Sequence, residues 1–140
     1  MSERGVIRNR DYKQKIADFS GLRYGKITPT DLDCYIDFGN KLFVFVEAKY
    51  GDSQLSYGQN LAIERLCDAC HQPSQGRYSV AFVVSHSSDD DIDMASTVVT
   101  KYRWFGKWCT PKADTPTLRK AVDFFHGRYI SNVIPFKRVA

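Results

Sequence analysis

Asp33, Glu47 and Lys49 have the types and the spacing to work on a phosphate ester. Glu47 and Lys49 end a strand-like run that begins with Leu42, Phe43, Val44, Phe45 and Val46, and Asp33 heads a second run through Cys34, Tyr35, Ile36, Asp37 and Phe38. Successive side chains of a strand point to opposite faces. One face of this hairpin is therefore wholly apolar: Cys34, Ile36 and Phe38 with Leu42, Val44, Val46 and Ala48. The other carries Asp33, Tyr35 and Asp37 with Phe43, Phe45, Glu47 and Lys49. For the apolar sets to coincide, opposed residue numbers must sum to an even value, which a three-residue connection through Gly39, Asn40 and Lys41, or a bulge, provides. That register sets Asp33 opposite Glu47.

Opposed residues on antiparallel strands have Cβ atoms about 4.5–5.5 Å apart, so two carboxylates there repel unless a cation or a proton lies between them. Mg²⁺ is the economical solution, because it takes carboxylate, carbonyl and water oxygens and keeps positions open for a phosphate and a water. Lys49 shares the face, where its ammonium can orient or help deprotonate an attacking water and offset charge at the phosphate. Gln59 stands four residues before Ile63 and seven before Leu66. It therefore starts the sheet-facing stripe of the next helix and can reach the Glu47 and Lys49 end of the hairpin. The plainer readings are an ordinary Glu–Lys pair at a strand end and a helix-start amide.

The elements that position these residues follow from periodicity. A short helix is expected over 8–19 around Tyr12, Ile16 and Phe19, then a first extended segment over 22–27 punctuated by Gly21, Gly25 and Pro29. Strands are expected at 33–38 and 42–50, a polar loop at 51–58, and the best helix at 59–71. A buried strand at 78–85, a longer strand or hairpin at 97–109 and a closing helix at 117–129 complete the order. The sum is a mixed sheet with helices against it, an α/β or α+β chain in one domain spanning residues 1–140.

A chain of 140 residues with 43% hydrophobic and 26% charged content suits one globular core and excludes a disordered or collagen-like class. Its apolar runs fall far short of the roughly 20 residues a membrane helix needs, and the basic first ten residues lack the apolar stretch of a secretory signal, so a cytosolic location is expected. Twenty Lys and Arg against sixteen Asp and Glu leave +4, which permits a polyanionic partner. Cys67 and Cys70 sit in a CxxC followed by His71, but they also fall on the stripe of Ala62, Ile63 and Leu66, so they are read as small core residues with free thiols rather than a haem or zinc site. Lys101, Arg103 and Lys107 interleave with Tyr102, Trp104, Phe105 and Trp108, a combination suited to phosphates and stacked bases but equally to a half-buried strand. The cluster Asp89, Asp90, Asp91 and Asp93 reads as a solvated loop, and His86 lies near the end of the buried strand.

Taken together, Thr30, Asp31, Leu32 and Asp33, the strand end Val46, Glu47, Ala48 and Lys49, and the helix start Tyr57, Gly58 and Gln59 resemble the PD-(D/E)XK nuclease superfamily over residues 18–85 or more. The stretch 18–31 is also similar to small phage or prophage proteins of this type, whose setting would be a host cytoplasm. The resemblance implies a restriction-endonuclease-like αβββαβ core with an additional C-terminal strand and helix. It further implies a Mg²⁺- or Mn²⁺-dependent hydrolase cutting phosphodiesters in nucleic acid, with DNA expected, as a monomer or homo-oligomer. By resemblance, Asp33, Glu47 and the Ala48 backbone carbonyl hold the metal, Lys49 is the catalytic lysine and Gln59 the polar helix residue. Asp31 competes with Asp33 for the first acidic position or serves a second metal, and Asp33 is favoured because it opposes Glu47. Lys101, Arg103 and Trp104 are the candidate nucleic-acid contacts. The alternative is a catalytically silent module on the same scaffold that binds DNA or protein, such as a phage inhibitor or assembly factor.

Overall fold

The computed structural model describes residues 5–7, 10–11, 15–112 and 116–129. The chain divides into two units, Met1–Asp31 and Leu32–Ala140. The second holds β1 (Cys34–Phe38), β2 (Leu42–Tyr50), α1 (Tyr57–Cys70), β3 (Tyr78–His86), β4 (Val98–Trp104), β5 (Lys107–Cys109) and α2 (Leu118–Tyr129). The sheet order is β1-β2-β3-β4-β5. Only β2 and β3 run parallel, joined through α1, and the other neighbours are antiparallel. This is an α/β architecture on a mixed sheet.

Strand alternation decides what each helix covers. On one face Leu42, Val44 and Val46 of β2 and Val80, Phe82 and Val84 of β3 are buried with Leu118, Val122 and Phe125 of α2. On the other, Phe45 and Ala81 pack with Ile63 and Cys67 of α1. The two helices therefore lie on opposite faces, and each fully buried Val or Leu contributes about 1.5–3 kcal/mol. Helix α1 starts where Ser56 Oγ accepts the Gln59 N–H and Gln59 Oε1 accepts the Ser56 N–H, a closed capping box. It stops one residue before His71, with Pro73 close behind.

The β1–β2 connection is the expected three-residue loop. Phe38 pairs with Leu42, Gly39 and Asn40 have φ of 59° and 64°, and the Asp37 carboxylate accepts the Asn40 N–H at 2.7 Å. A bulge at Thr100 shifts the β3–β4 register between Val83 and Val84, and the Thr100 hydroxyl donates to the Val83 carbonyl. The 97–109 segment is a hairpin, turned at Phe105 and Gly106 with both φ positive.

In the first unit the expected strand over 22–27 does not form. Residues Ser20–Leu22 make a single 3-10 turn, and Tyr24 and Ile27 bond to each other across Gly25 and Lys26. The backbone groups are satisfied within four residues, which removes the need for a strand partner. The centre of the helix expected over 8–19 lies outside the described residues, and 16–19 are not helical. The first strand of the expected αβββ opening is thus not reproduced, residues 10 and 11 are helical, and every later element falls within two residues of its expected bounds. Among the described residues no helix is long and apolar enough to cross a membrane.

Candidate active site

Glu47 and Lys49 lie near the C-terminal end of β2, on the face that α1 covers. The β1–β2 register ends at Cys34↔Val46, one residue short of Asp33 and Glu47, and the stacked rings of Tyr35 and Phe45 at 5.3 Å mark the face that Glu47 shares. Asp33 stands just before β1, and its Oδ2 accepts the Ala48 N–H at 2.8 Å. Asp33 is thereby pinned to the peptide that joins Glu47 to Ala48. In an extended strand the N–H and C=O of one residue project to the same side, so the Ala48 carbonyl also faces the Asp33 edge, beyond the last β1 pair. Glu47 itself is buried, at 6% exposure, in the midst of an apolar strand. A carboxylate so placed is costly to desolvate and is rarely tolerated without compensation.

Lys49 is half-buried, and its Nζ donates to Gln59 Oε1 at 3.0 Å. Gln59 uses that same oxygen to close the capping box, so one side chain both starts α1 and holds the lysine. Lys49 and Gln59 are thus in direct contact, and Asp33 is bonded to the backbone of the strand that carries Glu47 and Lys49. Asp31 is the last residue of the first unit, exposed and outside regular structure. His86 belongs to the opposite face, edge-on to Tyr50 at 5.6 Å.

The basic and aromatic residues of β4 are engaged internally. Lys101 Nζ donates to Asn60 Oδ1 at 2.9 Å and lies 4.3 Å over the Trp108 ring. Asn60 and Trp108 in turn both donate to Glu64 Oε1. Arg103 makes a two-pronged bond to Asp68, at 3.1 and 2.7 Å, which holds the guanidinium charged against the opposing effect of desolvation. Trp104 faces the other way, against Phe125 and Tyr129 of α2. Asn60, Glu64 and Asp68 recur every four residues along α1, a polar stripe facing β4 and β5 that was visible in the sequence but needed the fold to supply its partners.

The four cysteines are free thiols. Cys67 packs in the α1-side core, where burial pushes its thiol up to about 12. Among the described residues no three His, Cys, Asp or Glu side chains gather as a metal cage. Asp33, Glu47 and the Ala48 carbonyl would together offer only oxygen donors, the chemistry of a hard cation that keeps waters. A cavity of about 370 Å³ opens on the opposite side of the sheet, between β1 and α2. Its lining includes Cys34, Ile36, Leu118 and Val122 but none of Asp33, Glu47, Lys49 and Gln59, so chemistry and cavity are separate. Comparison with family models, curated proteins and solved structures returns no match.

Proposed function

We propose that this chain is a metal-dependent phosphodiesterase of the restriction-endonuclease-like type, acting on nucleic acid and foremost on DNA. The observation that supports this reading best is the Asp33–Ala48 hydrogen bond, because it ties the first carboxylate to the strand that carries Glu47 and Lys49. Asp33, Glu47 and the Ala48 carbonyl would hold Mg²⁺ or Mn²⁺, and the ion when bound supplies Lewis-acid polarisation of the scissile phosphate. Lys49 orients the attacking water and offsets the negative charge that builds on the phosphate oxygens. Gln59 holds the Lys49 ammonium in place, so the amine does not swing into solvent on its flexible stem. Packing of α1 over the strand end limits the water that would weaken these interactions.

One observation favours the silent-scaffold reading: among the described residues no three His, Cys, Asp or Glu side chains gather to hold a metal ion. The readings separate on incubating the protein with labelled linear, single-stranded and branched DNA and with RNA, in Mg²⁺, Mn²⁺ or EDTA. Metal-dependent cleavage that EDTA stops supports the enzyme. Binding without cleavage in every condition supports the silent module.

A further inference from the structure

The charge of the chain is unevenly placed. Residues 1–31 hold seven Lys and Arg against four Asp and Glu, so they carry +3 of the total +4. Every described residue of this unit is exposed, including Leu22, Tyr24 at 71% and Ile27 at 72%. Among its described residues the segment buries no apolar group, so little hydrophobic gain offsets the entropy of ordering it, and contact with a partner would supply that gain.

Within it, residues 22–27 are nonetheless preorganised. Tyr24 N–H donates to the Ile27 carbonyl at 2.8 Å and Ile27 N–H to the Tyr24 carbonyl at 3.0 Å, around a two-residue turn with Gly25 at φ 63°. Arg23 Nε donates to the Gly25 carbonyl at 3.0 Å, which fixes the guanidinium beside the turn. Lys26 stands at the corner and is exposed. Asp18, the nearest acidic residue before the turn, is directed to Ser20, accepting from its N–H at 3.0 Å and its hydroxyl at 2.7 Å. These bonds hold the Asp18 carboxyl below its usual range, and the carboxylate caps a turn rather than pairing with Arg23. The result is a small rigid knuckle that shows two cations with an aromatic ring between them in sequence.

We infer that this knuckle, Arg23, Tyr24 and Lys26, is a nucleic-acid contact: the two cations take backbone phosphates, and Tyr24 stacks on an unpaired base or packs against a sugar. Charge complementarity selects the polyanion, and the ring beside the cations selects nucleic acid over an acidic protein surface. The inference rests on the proposed function for its substrate class, and it places the grip in the first unit rather than on β4, whose Lys101 and Arg103 are engaged with α1.

The test is binding of labelled single- and double-stranded oligonucleotides by the full chain in EDTA, so that cleavage plays no part. Affinity is followed between about 50 and 200 mM salt. For Arg23→Ala with Lys26→Ala, the slope of log K against log salt should fall by about 1.8 on duplex or about 1.4 on single strands. Tyr24→Ala should weaken single-strand binding by about fivefold or more with the slope unchanged, from a stacking contribution of about 1–3 kcal/mol. Arg23→Lys with Lys26→Arg should restore the slope, which excludes a folding defect. A double variant with wild-type slope and affinity overturns the inference even if the protein cleaves DNA. No binding by the wild type, with retention instead on an acidic protein surface, overturns it as well. A wild type that binds with the expected slope but cleaves nothing supports the knuckle while removing the catalytic reading.

Discussion

Gln59 Oε1 accepts from both the Lys49 ammonium, at 3.0 Å, and the Ser56 N–H, at 3.3 Å, so the residue that nucleates α1 also holds the Lys49 amine. Helix start and site geometry are coupled through one oxygen, and substitution can separate them. Ser56→Ala removes the cap from the other side and should cost about 1 kcal/mol in urea denaturation with cleavage retained. Gln59→Ala should cost a similar amount and also reduce cleavage at saturating substrate by tenfold or more. Equal retention of activity in both variants would detach Gln59 from the chemistry.

Cys67 tests the packing on the α1 side. Burial pushes its thiol up to about 12, so it should resist a thiol reagent at pH 8 in the folded protein and react once denatured. Four thiols per chain should titrate in denaturant without reductant, in keeping with free cysteines. Cys67→Ser, which puts a hydroxyl into the apolar cluster, should cost about 1–3 kcal/mol, and chelators should leave stability unchanged.

His71 predicts an acid-sensitive joint between α1 and β3. Its Nδ1 accepts the Ser79 N–H at 2.9 Å and must be unprotonated to do so. Burial lowers its pKa, against the opposing effect of Asp68, while Tyr78, Trp104 and Phe105 surround the ring. A lowered folded value means the unfolded chain binds the proton more readily. The stability His71 contributes is therefore present above its ordinary value of 6.5 and is lost as pH falls through the depressed folded one. The urea midpoint should drop between pH 7.5 and 5.5, and His71→Asn should flatten that drop.

The Arg103–Asp68 bond distinguishes a structural tie from a phosphate contact. Arg103 is only 13% exposed in its side chain, but Asp68 is 41% exposed, so solvent screening limits the coupling to about 0.5–1 kcal/mol in a double-mutant cycle. Arg103→Lys should lose most of it, because an ammonium cannot make the fork. Neither Arg103→Ala nor Asp68→Ala should change the salt slope of nucleic-acid binding, and a fall of about one unit would make Arg103 a phosphate contact after all.

The hairpin and α1 were legible because their patterns are strict. Seven apolar residues on one face of 34–38 and 42–48 admit only an even register, and Gln59 falls into line with Ile63 and Leu66 by helical spacing alone. The Ser56 capping box starts α1 at Tyr57, two residues earlier than the apolar periodicity alone places it. The segment 22–27 was misread because Leu22, Tyr24 and Ile27 look like strand residues, whereas Gly25 at positive φ lets the chain close on itself at once. Alternation placed Lys101 and Arg103 on one face and Trp104 on the other. What occupies those faces depended on where α1 and α2 come to rest, which is tertiary information. The same holds for Asp33, whose bond to the Ala48 N–H no parity argument gives.

The most direct measurement of the central claim is cleavage of labelled DNA by wild type and by Glu47→Gln, in Mg²⁺ or Mn²⁺, alongside binding measured in EDTA. Glu47→Gln keeps the size of the side chain and removes its charge, so the fold and the affinity for nucleic acid, which comes mainly from Lys and Arg, should be retained. The account predicts EDTA-sensitive cleavage by the wild type and a loss of at least a hundredfold in the variant with binding within about twofold. Wild-type protein that binds but never cleaves, or a Glu47→Gln variant that cleaves as fast as the wild type, would contradict it.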